Sequence, residues 1–169
     1  PNTPGLRDFQ KKELLIPILE ALSSARESSP KPIFIKISPD SPTEEIELLC
    51  KLSIEYNFSG IIATNTTTQH EFGPGGISGK YLEQYAHKTR ENICQLLSHN
   101  QSQSVIGVGA INSYAQIKEF WKMGGGFVQV YTSFIYQGPE LLANIYQDMI
   151  ADAQKNGFKS IQELYDNIK

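Results

Sequence analysis

Four short apolar runs begin near residues 33, 61, 105 and 127, and each is followed by a segment whose apolar residues recur at helical spacing. The runs are Ile33-Phe34-Ile35-Lys36-Ile37, Ile61-Ile62-Ala63, Val105-Ile106-Gly107-Val108-Gly109 and Phe127-Val128-Gln129-Val130-Tyr131. Runs of this length, bounded by turn residues such as Ser59-Gly60, read as buried strands. Strands that alternate with helices pair in parallel through right-handed crossovers, so the chain is α/β. Two architectures fit: an open doubly wound sheet, or part of a (β/α)8 TIM-type barrel. A full barrel takes ~250 residues, and four βα units in 169 residues correspond to half of one.

The helical segments carry their own punctuation. Leu15, Ile18, Leu19 and Leu22 form the first pattern, with Pro17 inside it, so a helix starts or kinks there. Ser41-Pro42-Thr43-Glu44 reads as a capping box with proline at the first helical position, and Ile46, Leu49, Cys50, Ser53 and Ile54 share one face behind it. A loop over 69–80 holds Gly73, Gly75, Gly76 and Gly79, and a helix over about 82–97 follows. Ser113 and Gln116 cap the next helix, which points Ile117, Phe120 and Trp121 inward and stops at the glycines of 124–126. Pro139 opens a long helix with Leu142, Ile145, Met149 and Ile150 on one face. Gly157 ends it, and Ser160 and Glu163 cap a last short one.

Composition narrows the function classes. With 40% hydrophobic and 20% charged residues the chain can bury one sizeable core. A net charge of −3 does not favour nucleic acid or an anionic membrane surface, and no apolar run approaches the ~20 residues of a membrane span. Cys50 and Cys94 fall inside helical patterns and read as buried thiols. His70, His87 and His99 share no spacing, and no Ser-His-Asp order, carboxylate pair or metal-ligand cluster stands out. The chain opens Pro-Asn-Thr-Pro-Gly without an initiator Met or a signal peptide, which gives the expectation that it is cut from a longer protein.

In α/β folds ligands bind at the carboxyl ends of the strands, and the polar residues of this sequence gather there. The second run ends in Thr64, Asn65 and Thr66, whose hydroxyls and amide fix a planar hydrogen-bonding ligand without adding charge. Lys36 lies near the end of the first run, where it must reach a cavity, an ion-pair partner or the surface. Gly107-Val108-Gly109-Ala110-Ile111-Asn112 fails as a dinucleotide fingerprint, because Asn112 occupies the third glycine position and no acidic residue follows the next strand. It remains a glycine-rich turn of the kind that brings backbone N–H groups to phosphate oxygens. Paired with Tyr131-Thr132-Ser133 at the next strand end, it matches the phosphate site of barrels, which lies after the last two strands.

Taken together, these segments resemble the quinone-dependent (class 2) dihydroorotate dehydrogenases. Pro1-Asn2-Thr3-Pro4-Gly5-Leu6-Arg7 is similar to the segment that follows that family's catalytic base. Ile35-Lys36-Ile37-Ser38-Pro39-Asp40 is similar to its lysine strand. Ala63-Thr64-Asn65-Thr66-Thr67, Gly75-Gly76-Ile77-Ser78-Gly79-Lys80, Ile106-Gly107-Val108-Gly109 and Gln129-Val130-Tyr131-Thr132 follow in the family's order.

The resemblance implies a (β/α)8 barrel around FMN, of which residues 1–169 supply the last four βα units. It implies that Lys36 and Thr64 bind the flavin, that Gly79, Gly109, Ala110, Tyr131 and Thr132 hold its phosphate end, and that Asn2, Asn65 and Thr66 bind the dihydroorotate ring. In the family's reaction a proton leaves C5, a hydride passes from C6 to the flavin, and a quinone reoxidises it. The family's serine base lies immediately before the segment that starts here at Pro1, so no catalytic base and no metal ligand is expected in this chain. Quinone would engage the family's amino-terminal part, which sits peripherally on the cytoplasmic face of the membrane, whereas this chain alone would be soluble. The family usually has glycine at the position of Ala110. A sugar-phosphate isomerase shares the two glycine-rich turns but does not account for the 63–66 segment or the Lys36 strand, and a non-catalytic half-barrel remains a third reading.

Overall fold

The computed structural model of the chain describes residues 12–100 and 102–169. Its centre is a four-stranded parallel sheet in the order β1 (Phe34–Ile37), β2 (Gly60–Ala63), β3 (Ser104–Val108), β4 (Val128–Gln129). Helices intervene as the alternation requires: α1 (Lys12–Ser28), α2 (Thr43–Glu55), α3 (Glu83–Leu97), α4 (Tyr114–Lys122), α5 (Thr132–Gln137), α6 (Glu140–Lys155) and α7 (Ile161–Ile168). Sequence order equals spatial order, the arrangement of successive βα units in a barrel wall rather than of a doubly wound sheet, whose order reverses at a switch point.

Burial alternates along the strands and shows which face the helices cover. Ile35, Ile37, Ile61, Ala63 and Val105 are buried, and pack with Leu49, Phe58, Ile93 and Phe120 into one core cluster. The other face carries Lys36, Ile62 and Ile106, which the register sets side by side and which stay partly or fully open to solvent. A second core cluster lies among α4, α6 and α7, around Ile117, Trp121, Leu141, Ile145, Met149 and Leu164. The Phe120 ring joins α4 to β3. A Cβ on Gly107 would come 2.9 Å from the ring, and one on Gly125 would come 2.3 Å from it.

Several local expectations are corrected. Of the two readings of Pro17, the helix start is overturned: it lies inside α1, where it withholds one N–H from the ladder. On α1 only Leu15 and Leu19 are buried, while Leu14, Ile18 and Leu22 form an exposed row. On α2 Ile54 is exposed, and on α6 Leu142 and Ile150 are exposed with Tyr146 between them; the buried row there is Leu141, Ile145, Met149 and Ala153. Spacings of three and four merge two adjacent rows into one apparent face, and only contact with the sheet separates them. The expected capping box at Ser41 is not formed. Pro42 takes the cap position of α2 and no side chain accepts there. Ser113 does cap α4 and its Oγ donates to Gln116 Oε1 at 3.4 Å, but its side chain accepts from no N–H of the first turn; Gln116 Oε1 also accepts from Asn112 N at 2.8 Å. The last helix does show the side-chain cap, with Glu163 N donating to Ser160 Oγ at 3.1 Å.

The fourth strand is shorter than its apolar run. Among the described residues it pairs on one side only, and Val130 and Tyr131 leave the sheet to enter α5, a short helix that the sequence does not separate from its surroundings.

Candidate functional site

The carboxyl ends of all four strands open onto one cavity of about 560 Å3. Lys36, Thr64, Asn65, Thr66, Gly79, Gly109, Ala110, Tyr131 and Thr132, read from the sequence as site residues, all line it. Asn2 lies outside the described residues. The volume lies within the range of small-molecule sites. Lys36 and Lys80 bring ammonium groups to the lining, and among the described residues no carboxylate or imidazole lines the cavity. The field inside therefore favours an anionic ligand.

Lys36 is exposed rather than enclosed, because it belongs to the uncovered face of the sheet. The expectation of a lysine on a fully buried strand is corrected in that respect. Its neighbours across the register are apolar, Ile62 on β2 and Ile106 beyond it.

The segment after β2 is built to a fixed shape. Its first peptide, Ala63–Thr64, is cis. Thr64 N donates to Val108 O at 2.9 Å and Asn65 N donates to Ile37 O at 2.9 Å, so the segment is tied to both neighbouring strands. Thr64 Oγ1 donates to Asn65 O at 2.8 Å, and Asn65 Oδ1 accepts from Thr66 N at 2.8 Å, which sets the orientation of the Asn65 amide. Thr66 fits only because residue 76 is glycine; a Cβ there would come 2.1 Å from Thr66 Oγ1. Asp40 fastens the far end, accepting from Thr67 Oγ1 at 2.5 Å and from Thr68 N and Oγ1 at 2.7 and 2.9 Å. Asp40 was not picked out as a site residue from sequence. The signal available was its place after Ser38-Pro39 at a strand end.

The phosphate-type turn after β3 has Gly109 at φ +97° and Ala110 at φ +56°. Two successive left-handed residues reverse the chain and gather N–H groups on one side. Ala110, where the family usually has glycine, adopts the conformation that glycine normally supplies. Across the cavity Ser78 Oγ and Thr132 Oγ1 are 2.7 Å apart, joining the loop before α3 to the first residue of α5. Ser78, Lys80, Gln129 and Tyr136 also line the cavity; the first three stood inside motifs already singled out, and Tyr136 carried no pattern of its own. Gly79 is held at φ +71° beside the Thr132 methyl. These donors and hydroxyls, with Lys80, fit a phosphate group, and the polar 64–66 segment fits a flat heterocycle with N–H and carbonyl groups.

The remaining titratable groups lie elsewhere. Burial pushes the Cys50 and Cys94 thiols up to about 12, which keeps them protonated and unreactive. Asp152 accepts from Lys118 Nζ at 2.6 Å and Tyr114 Oη at 2.5 Å and ties α4 to α6. Among the described residues no group of three or more His, Cys, Asp or Glu side chains is placed to hold a metal, and no helix is long and apolar enough to cross a membrane.

Parallel βα units in sequential order, with a cationic cavity and glycine-rich turns at the strand ends, define a protein of the (β/α)-barrel type. The family profile for dihydroorotate dehydrogenase matches residues 1–152, and the chain belongs to that family. It is 39% identical over 170 residues to a dihydroorotate dehydrogenase (quinone) of Helicobacter acinonychis, covering 97% of this chain and 47% of that protein. It is also 39% identical to the enzyme of the same name from Thermosynechococcus vestitus, covering 92% and 46%. The crystal structure of DHODH from Eimeria tenella in complex with ferulenol superposes with a TM-score of 0.81 at 26% identity, over 96% of this chain and 50% of that one. The ligand-free form of that enzyme gives 0.83. The chain thus spans about half the length of the curated relatives it matches. The family match does not favour a sugar-phosphate isomerase.

Proposed function

We propose that residues 1–169 are the carboxyl-terminal part of a single barrel domain in an enzyme of pyrimidine biosynthesis that oxidises dihydroorotate to orotate, using FMN and then a quinone. The observation that carries this reading is the convergence of the family-motif residues on one cationic cavity at the strand ends. Bound FMN would supply the hydride acceptor. Gly79, Gly109, Ala110, Tyr131 and Thr132 would hold its phosphate, Thr64 its ring system, and Lys36 would contribute the positive charge near the reacting end. Asn65 and Thr66 would hold the dihydroorotate ring, a role the resemblance also gives Asn2. The Asn65 amide is already oriented by its bond from Thr66 N, so its Nδ2 is poised to donate to a ring carbonyl.

In this reading the base for the C5 proton would be the serine that the resemblance puts before Pro1, and among the described residues no carboxylate or histidine lines the cavity. Quinones dissolve in lipid, and in this reading the intact enzyme works peripherally at the cytoplasmic face of a membrane.

The test uses the intact enzyme carrying this chain, assayed for orotate formation with FMN and a quinone. Lys36→Ala should slow flavin reduction by dihydroorotate, seen in stopped-flow absorbance, more than it weakens substrate binding. A cation near developing negative charge stabilises the transition state more than the ground state. An unchanged reduction rate would remove Lys36 from the reading, and absence of orotate formation in the parent would overturn it.

A further inference from the structure

Behind the turn that follows β3 lies a charged side chain which neither the sequence motifs nor the cavity lining includes. Arg90, on α3, is only 6% exposed. Its Nη1 donates to Val108 O at 3.1 Å and to Gly109 O at 2.9 Å, and its guanidinium carbon lies 5.9 Å from the centre of the Phe120 ring. Among the described residues no carboxylate stands within ion-pair distance of it. Burial lowers the guanidinium's pKa, and Cys94, Glu119 and Glu83 only partly oppose that from a distance; the cost of a buried cation is offset further when a negative charge sits close by.

The geometry gives the guanidinium a specific effect on the turn. In a trans peptide the C=O and N–H point to opposite sides. With the carbonyls of residues 108 and 109 drawn towards Arg90, the N–H groups of Gly109 and Ala110 are turned away from it. Gly109 and Ala110 line the cavity, whereas Arg90 does not. The same helix and its N-cap close the turn from behind: a Cβ on Gly109 would come 2.7 Å from the cap residue Leu82 and 3.3 Å from Ala86, so Leu82, Ala86 and Arg90 form one row, spaced four apart, against it.

We propose that Arg90 is a positioning residue for the flavin phosphate: it locks the Gly109–Ala110 turn with its N–H groups facing the cavity and places a buried positive charge behind them. This rests on the flavin reading above and adds a residue that touches neither ligand. It predicts an effect confined to the phosphate end.

The experiment titrates the flavin-free intact enzyme with FMN and, separately, with riboflavin, which has the same ring and no phosphate. Binding is followed by flavin fluorescence. The parent should prefer FMN. In Arg90→Met, which keeps the apolar stem, that preference should fall about tenfold, the effect of losing a hydrogen bond to a charged group. Riboflavin affinity should stay within about twofold of the parent's, because surface and ring contacts are untouched. Arg90→Lys, which keeps the charge but loses the planar fork, should fall between the two. If Arg90→Met does not fold by circular dichroism, Arg90→Lys decides alone. An unchanged FMN preference in the folded variants overturns the proposal, and so does parallel weakening of both ligands, since that marks a purely structural arginine. A parent with no preference for FMN over riboflavin would instead bring down the phosphate reading of the turn, an outcome visible without any variant.

Discussion

Ala110 offers a test of the turn that needs no ligand. At φ +56° its Cβ lies in the left-handed region, which costs an L-residue roughly 1–2 kcal/mol. Glycine removes that strain but loses more backbone freedom on folding, a penalty of roughly 0.5–1 kcal/mol. The balance for Ala110→Gly is a stabilisation of about 0.5–1 kcal/mol. The measurement is urea unfolding of the intact enzyme by circular dichroism, parent against variant, with an unchanged m-value as the sign that only the native state moved. FMN affinity should stay within about twofold, because the N–H groups keep their direction. A variant less stable than the parent by about 0.5 kcal/mol or more would refute the strain argument and place φ at residue 110 outside the left-handed region.

Two further outcomes are expected. Asn65→Ala should raise the KM for dihydroorotate and lower kcat/KM by roughly ten- to a hundredfold, since each ligand group left unpaired costs ~1–3 kcal/mol; parent-like steady-state kinetics would remove Asn65 from the ring site. For Asp152, hydrogen bonds from Lys118 and then Tyr114 hold its carboxyl below the ordinary value of 3.8. A depressed carboxylate contributes stability above its unfolded value and loses it as pH falls through the folded one, so the loss begins as the solution is acidified past about 3.8. Asp152→Asn should flatten this acid limb in thermal scans, and parallel limbs for parent and variant would show that the α4–α6 tie does not titrate.

How much was legible in the chain follows from which interactions are local. The strands and their order were readable because each apolar run and its helix form a unit whose pairing needs no distant information. The cavity residues were readable because strand ends collect them. Which apolar row of α1 or α6 meets the sheet was not, since Leu142 and Leu141 look alike until the neighbouring surface exists. The short α5 escaped because its six residues follow an edge strand with no change of pattern. Arg90 escaped for a different reason: a charged residue on an amphipathic helix reads as solvent-facing. Its one signal was position, in step with Leu82 and Ala86 and one turn before Ile93, Cys94 and Leu97, all buried. Ser41 shows that residue types permit a motif without forming it, the cap position going to Pro42 with no side chain accepting there.

The seat of Phe120 between Gly107 and Gly125 limits the order in which substitutions can be accepted there. A methyl added at either glycine meets the ring at 2.9 or 2.3 Å, and overpacking of that kind costs roughly 1–3 kcal/mol. Shrinking the ring first leaves a void against β3 and strips Arg90 of its aromatic neighbour. Each single step is therefore downhill in stability, while the paired change is tolerated, a coupling of roughly 0.5–3 kcal/mol between the ring and each glycine. The three positions drift as a linked set, and a lineage that has left this combination returns only by reversing both members of a pair.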